Sequence, residues 1–241
     1  MRGMIHLGIH PVPIIMVHGY FSSNKIGPHR LYFQIAQGLN RLGYTVLRTD
    51  LSGMGESDGI IEDISFSDHV LDTEAIIRYV MQRKDICPSG RIHLLGHCIG
   101  CCTALKACQH FEQNVESVTL LSPFIPSREN HIKMLGKVEY HKIVTTGSGY
   151  RKDVFCCNSF LSAAYILTNP LILDMLRCMR KCIVFSEHDE FSGIGDSINW
   201  VNSIPSTYQI IRGANHNYIG PVVRKELLEY LSLIFSSDQS A

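Results

Sequence analysis

Short runs of apolar, often β-branched residues alternate along the chain with longer segments whose apolar positions recur every three or four residues. Pro13–Val17 is an apolar run too short for a helix and reads as a buried strand. Arg30–Leu42 carries helical spacing and stops at Gly43, a residue type that favours helix ends. Thr45–Thr49 reads as the next strand and runs into the Gly- and Ser-rich turn Leu51–Gly59. In Ser67–Lys84 the apolar residues Val70, Leu71, Ala75, Ile76, Tyr79 and Val80 predict an amphipathic helix, with Ser65 or Ser67 as its cap. Arg91–Leu95 and Ser117–Leu121 are strands flanking a helix over Ile99–His110. Cys182–Phe185 and Tyr208–Ile211 supply two more strands, and Val222–Phe235 a closing helix. Strands alternating with helices build a mostly parallel central sheet covered on both faces, a three-layer α/β sandwich.

Residues 125–179 interrupt this rhythm. They are less periodic, contain Thr145-Thr146-Gly147-Ser148-Gly149, and read as an insertion above the sheet, a small lid over an active site. No repeat, low-complexity tract or linker divides the rest, so residues 1–241 are expected to form one domain. The length of 241 residues agrees, since α/β folds run to about 250 residues as single units.

Composition narrows the function classes. The chain is 45% apolar and 18% charged, with 22 Lys and Arg against 22 Asp and Glu. Such a chain can bury a sizeable core, and its zero formal net charge offers no electrostatic case for nucleic acid or an anionic membrane. The longest apolar runs fall far short of the roughly 20 residues of a membrane span. Arg2 followed by apolar residues is a faint signal-peptide pattern, but the apolar stretch leads straight into His18-Gly19-Tyr20 with no small-residue cleavage site. Nine cysteines, an odd number that includes two adjacent pairs, fit free thiols in a reducing cytoplasm better than a secreted disulfide scaffold. A cytoplasmic protein is expected. No convergent Cys/His ligand set is evident, so neither a metal nor an organic cofactor is expected.

The stretch His93-Leu94-Leu95-Gly96-His97-Cys98-Ile99-Gly100 carries the chemistry. A strand runs through Gly-x-Cys-x-Gly directly into a helix, which exposes Cys98 on a sharp turn where neighbouring backbone leaves room only for glycine. There the unpaired amides and helix dipole favour a thiolate, the attacking species. Asp189 and His216 follow, each just beyond a strand, in the chain order of a nucleophile–acid–histidine triad on such a sheet. His216 would take the Cys98 proton or hold it as an ion pair, and Asp189 would fix the histidine tautomer. Glu187 competes with Asp189, which is favoured because it sits further into the loop. The backbone amides of Ile99 and Tyr20 are the candidates for an oxyanion hole. His93 and His97 need no role beyond packing, and Cys102 and Cys108 read as core.

These pieces, together with Asp50-Leu51-Ser52-Gly53-Met54-Gly55-Glu56-Ser57, resemble the α/β-hydrolase superfamily, close to its small esterase and acylaminopeptidase-like branch. The resemblance spans nearly the whole chain in order. It implies an eight-stranded, mostly parallel sheet; only thirteen residues precede Ile14, so an N-terminally shortened sheet of about six strands is expected. Most relatives carry Ser where this chain has Cys98. Cysteine nucleophiles occur in the similar dienelactone hydrolases, polyhydroxyalkanoate synthases and aminoacyl shuttle enzymes.

A Cys98 acyl-enzyme would be a thioester, which suits hydrolysis of an ester, thioester or lactone. It also suits transfer of an acyl or aminoacyl group between carrier-protein thiols or to an amine. The substrate is then a small acyl compound, free or delivered on CoA or a carrier protein. Lys133, Lys137, Lys142, Arg151 and Lys152 make the insertion basic, which fits an acidic carrier and equally a solvated face. Two other classes stay open. One is a non-catalytic binding module on a hydrolase fold. The other is a redox protein using Cys98-Ile99-Gly100-Cys101 as a C-x-x-C motif, whose milder form is a Cys98–Cys101 disulfide that switches an enzyme off.

Overall fold

The computed structural model describes residues 1–20, 24–151 and 154–236. Its central sheet has seven strands in the order β1-β3-β2-β4-β5-β8-β9. They are β1 (Arg2–His6), β2 (Ile14–Val17), β3 (Val46–Asp50), β4 (Ile92–His97), β5 (Val115–Leu121), β8 (Lys181–His188) and β9 (Tyr208–Asn215). From β3 to β9 every pairing is parallel, whereas β1 runs antiparallel to β3, with Arg2 opposite Asp50 and His6 opposite Val46. The mostly parallel three-layer arrangement agrees with the sequence reading; the strand number does not. The sheet holds seven strands, not about six, because Arg2–His6 pairs along the outer edge. Four of its five residues are exposed, including Met4 and Ile5, so no alternation of buried and solvated positions marks it as a strand. Backbone hydrogen bonding to β3 decides it.

The parallel strands are buried on both faces, as sheets covered by helices are. Along β2, Ile14 and Met16 pack with Leu31, Ile35 and Leu39 of α1 (Leu31–Arg41) and with Leu227, Leu231 and Phe235 of α9 (Pro221–Ser236). Ile15 and Val17 face the opposite way, toward Ile77 and Val80 of α2 (Phe66–Gln82) and Cys101 and Leu105 of α3 (Ile99–Cys108). The period of two in the strand thus selects the helix layer each side chain meets. Of the two candidate caps, Ser65 starts α2: its hydroxyl accepts from Asp68 N while the Asp68 carboxylate accepts from Ser65 N, a reciprocal capping box.

Between β5 and β8 the chain makes a long excursion. It comprises α4 (Arg128–Leu135), α5 (Lys137–Thr146), a hairpin of β6 (Ser148–Arg151) and β7 (Val154–Cys157), α6 (Asn158–Ala163) and α7 (Pro170–Cys178). The helix α8 (Ile194–Val201), between β8 and β9, was not anticipated; its buried side includes Trp200 and Val201. Among the described residues no single helix is long and apolar enough to cross a membrane.

Candidate active site

β4 ends at His97 and α3 begins at Ile99, leaving Cys98 alone on the turn at φ 56°, ψ −128°. A non-glycine residue held there stores on the order of 1–3 kcal/mol of strain. The flanking glycines are needed for space: a Cβ at Gly100 would lie 2.4 Å from Val17 O and 2.5 Å from His18 O, and one at Gly96 2.6 Å from Gly100 O. The turn after β2 therefore packs directly against the elbow that presents Cys98. Gly19 belongs to the same contact, since a Cβ on it would come 3.1 Å from Cys98 Cβ.

His216 follows β9 and is buried. Its Nδ1 lies 2.7 Å from Asp189 Oδ2, and Asp189 Oδ1 accepts from the backbone amides of Phe191 at 2.9 Å and Ser192 at 3.0 Å. Glu187 is not brought to the histidine: half exposed, it accepts from Gly213 N at 2.7 Å and lies 3.7 Å from His188 Nε2. Nε2 of His216 has no hydrogen-bond partner of good geometry among the described residues; Cys98 is, with Asp189, one of the side chains that act on the ring. Burial alone would lower the His216 pKa, but Cys98, the Asp189 carboxylate and the hydrogen bonds to both override it and raise the value to about 10. Burial likewise pushes Asp189 up, and the His216 ring with the two amides reverses this and holds the carboxyl below its ordinary range. Asp189 and His216, 27 residues apart, thus meet as a carboxylate–imidazole pair, and Cys98 acts on the same ring.

The two expected oxyanion donors lie in the chain directly after Cys98 and directly after Gly19, the residue that packs against Cys98. Ile99 is the first residue of α3, so its N–H has no acceptor within its own helix. Tyr20 follows Gly19, and its buried ring lies on Phe160 at a centroid distance of 3.9 Å. His18 orients this turn by bridging Gly19 O through Nδ1 at 2.7 Å and Leu51 N through Nε2 at 3.0 Å.

Several residues that touch the site carried no legible signal. Glu190 accepts from the His216 amide at 2.9 Å, and the Phe191 ring packs edge-on against the His216 ring at 4.7 Å. His97, expected only to pack, instead bonds Tyr32 Oη through Nδ1 at 2.8 Å and His216 O through Nε2 at 2.9 Å. His93 does pack, between Tyr44 and Phe235, with Ser117 Oγ 2.8 Å from its Nδ1.

The excursion reaches the site at two points. Phe160 of α6 meets Tyr20, and Arg151 at the end of β6 stands over Phe191, its guanidinium 5.8 Å from the ring centroid. Lys152, counted with the basic residues of this segment, lies outside the described residues. Tyr150, Tyr165 and Leu171 are exposed, and Tyr150 Oη donates to Glu62 at 2.7 Å. All nine cysteines are free thiols. Cys101 is fully enclosed, donates to Leu121 O at 3.5 Å, and has its thiol pushed far up by burial. Among the described residues no group of three or more His, Cys, Asp or Glu side chains is arranged to hold a metal ion.

A family model described as alpha/beta hydrolase fold matches residues 12–140, just over half of the chain. No curated protein sequence matches. Among solved structures, ferulic acid-bound Est1E from Butyrivibrio proteoclasticus superposes with a TM-score of 0.80 at 20% identity, covering 100% of this chain and 96% of that one. Mouse alpha/beta hydrolase domain-containing protein 10 gives a TM-score of 0.71 at 18% identity, with 98% and 93% covered. A thermophilic esterase from Thermogutta terrifontis gives 0.67 at 16% identity, again with 98% and 93% covered.

Proposed function

The chain belongs to the alpha/beta hydrolase fold family, and from that premise we propose that it is an acyl-transfer enzyme that hydrolyses an ester, thioester or lactone through a Cys98 thioester. The observation that carries this reading is the 2.7 Å Asp189–His216 carboxylate–imidazole hydrogen bond, on a ring whose pKa Cys98 also helps to raise. Esterases among the structural neighbours support the reaction class.

The Cys98 thiolate adds to the substrate carbonyl carbon, forming a C–S bond and placing the carbonyl electron pair on oxygen. The amides of Ile99 and Tyr20 receive that charge; in comparable sites one such donor is worth about 10²–10³ in rate. As the oxygen re-forms its double bond, the bond to the leaving group breaks, and His216 Nε2–H protonates the departing oxygen or sulfur. Water then gives a proton to Nε2 as it adds to the thioester, and expulsion of the thiolate releases the acid and restores the ion pair. Asp189 stays ionised throughout and keeps the imidazole proton on Nδ1 directed at itself.

One observation favours a second reading, a thioester carried on phosphopantetheine as in CoA or a carrier protein. Arg151 sets a cation one ring away from His216. Intact-mass spectrometry with acyl thioesters and activated esters, with and without an acceptor thiol or amine, separates the readings. A +acyl adduct absent from Cys98→Ala and decaying in buffer is the expected result. An adduct that persists until the acceptor arrives supports transfer, and no Cys98-dependent adduct on any substrate overturns both.

A further inference from the structure

His216 leaves β9, three strands away from the β4 elbow that carries Cys98, so its loop must reach back about 14 Å across the sheet edge. Two of its groups are held from the side of the acid: the ring by Asp189 at 2.7 Å and the amide by Glu190 at 2.9 Å. Its carbonyl is held from the opposite side, by His97 Nε2 at 2.9 Å. A carbonyl oxygen only accepts, so Nε2 must carry the hydrogen. Burial, with the charge on neighbouring His216, lowers the His97 pKa to about 3, and a neutral ring protonated at Nε2 has a bare Nδ1. That nitrogen accepts the Tyr32 hydroxyl at 2.8 Å, and the Tyr32 oxygen accepts Gly19 N–H at 3.0 Å. Each atom has one compatible role, and the chain Gly19 N–H, Tyr32, His97, His216 C=O runs in a single direction through groups that are all buried.

We propose that Tyr32 and His97 are positioning residues, whose hydrogen-bond chain ties the His216 carbonyl to the Gly19–Tyr20 turn and so sets base and oxyanion turn in one geometry against Cys98. The inference rests on the roles of Cys98 and His216 proposed above. It also explains why Gly19 supplies no oxyanion donor: its amide is committed to Tyr32. His97 occupies the residue before the nucleophile, on the same rigid strand end, so one side chain registers the His216 loop directly to the elbow.

The test compares His97→Leu, His97→Gln and Tyr32→Phe in three measurements: the pH profile of Cys98 alkylation by iodoacetamide, kcat and KM on an activated ester, and thermal unfolding. A misplacement of about 1 Å costs on the order of 10² in rate. His97→Leu is therefore expected to lose roughly 10- to 100-fold in kcat and in neutral-pH alkylation, with KM within about threefold. The Gln amide can still donate to the His216 carbonyl, so His97→Gln recovers most of the loss, and Tyr32→Phe falls between. Wild-type rates in His97→Leu overturn the proposal, as do equal losses in His97→Leu and His97→Gln. Should His97→Leu fail to fold, Tyr32→Phe and His97→Gln decide: wild-type rates in Tyr32→Phe, or no more activity in His97→Gln than in Cys98→Ala, overturn it. Alkylation needs no acyl substrate. A protein that turns over no ester yet shows these alkylation losses overturns the proposed function and leaves the positioning chain standing.

Discussion

Two carboxylates two residues apart meet opposite environments here. Asp189 is enclosed and takes two backbone amides as well as the His216 ring, whereas Glu187 points to solvent and a glycine amide. Asp189→Asn is expected to lower kcat by roughly 10⁴, because an amide presents the wrong donor pattern to Nδ1; Glu187→Gln should stay within about threefold of wild type by the same assay. The raised pKa of His216, about 10, has a signed consequence for stability. Its folded value exceeds the unfolded value near 6.5, so the stability it contributes is complete below pH 6.5 and is lost as the pH rises through about 10. The stability difference between wild type and His216→Gln, measured by urea unfolding, should narrow steadily over that window. Cys98 is one of the causes of the raised value. Cys98→Ala should therefore move the His216 imidazole titration, followed by NMR, to lower pH. The order Cys98, Asp189, His216 was legible from chain order and strand ends. Glu190, Phe191 and the bonding of His97 were not, because each acts through a backbone group or ring face of a residue distant in sequence.

At the scale of elements, the junction between β4 and α3 is the most constrained. Gly-x-Cys-x-Gly was readable because steric exclusion by nearby backbone leaves its mark as glycine at fixed spacing. Gly100→Ala would drive a methyl into the carbonyls of Val17 and His18. A loss on the order of 3 kcal/mol is expected, read as a shifted urea midpoint with little change in slope. The helix over Ser67–Lys84 was equally legible, since amphipathic spacing and a Ser-x-x-Asp capping box are both local. β1 was not. Its residues bury almost nothing, and what makes them a strand is a row of hydrogen bonds to β3, some forty residues further along the chain.

Across the whole molecule, the loops at the carboxyl ends of the strands are fastened to one another by buried charge. Asp50, fully enclosed at the end of β3, takes Lys25 Nζ at 2.6 Å and the amides of Lys25 and Glu56; Lys25 Nζ also reaches Glu56, whose side chain is 76% exposed. Lys25→Met strands the Asp50 charge and should cost about 3–5 kcal/mol in urea unfolding, whereas Glu56→Gln, which removes a solvated partner, should cost under about 1 kcal/mol. Such ties hold the turn after β3 to the turn after β2, whose Gly19 lies against Cys98. The amino-acid sequence by itself determined the layers, the parallel order of strand and helix, and the Gly-x-Cys-x-Gly turn between β4 and α3. These follow from periodicity, local capping and backbone crowding, which act over a few residues and leave their imprint in neighbouring letters. The tertiary structure alone decided which carboxylate meets His216, that His97 bonds rather than packs, that Arg2–His6 closes an edge of the sheet, and where Arg151 stands. Those outcomes depend on distances between segments separated by tens to more than a hundred residues, and only the packed sheet sets them.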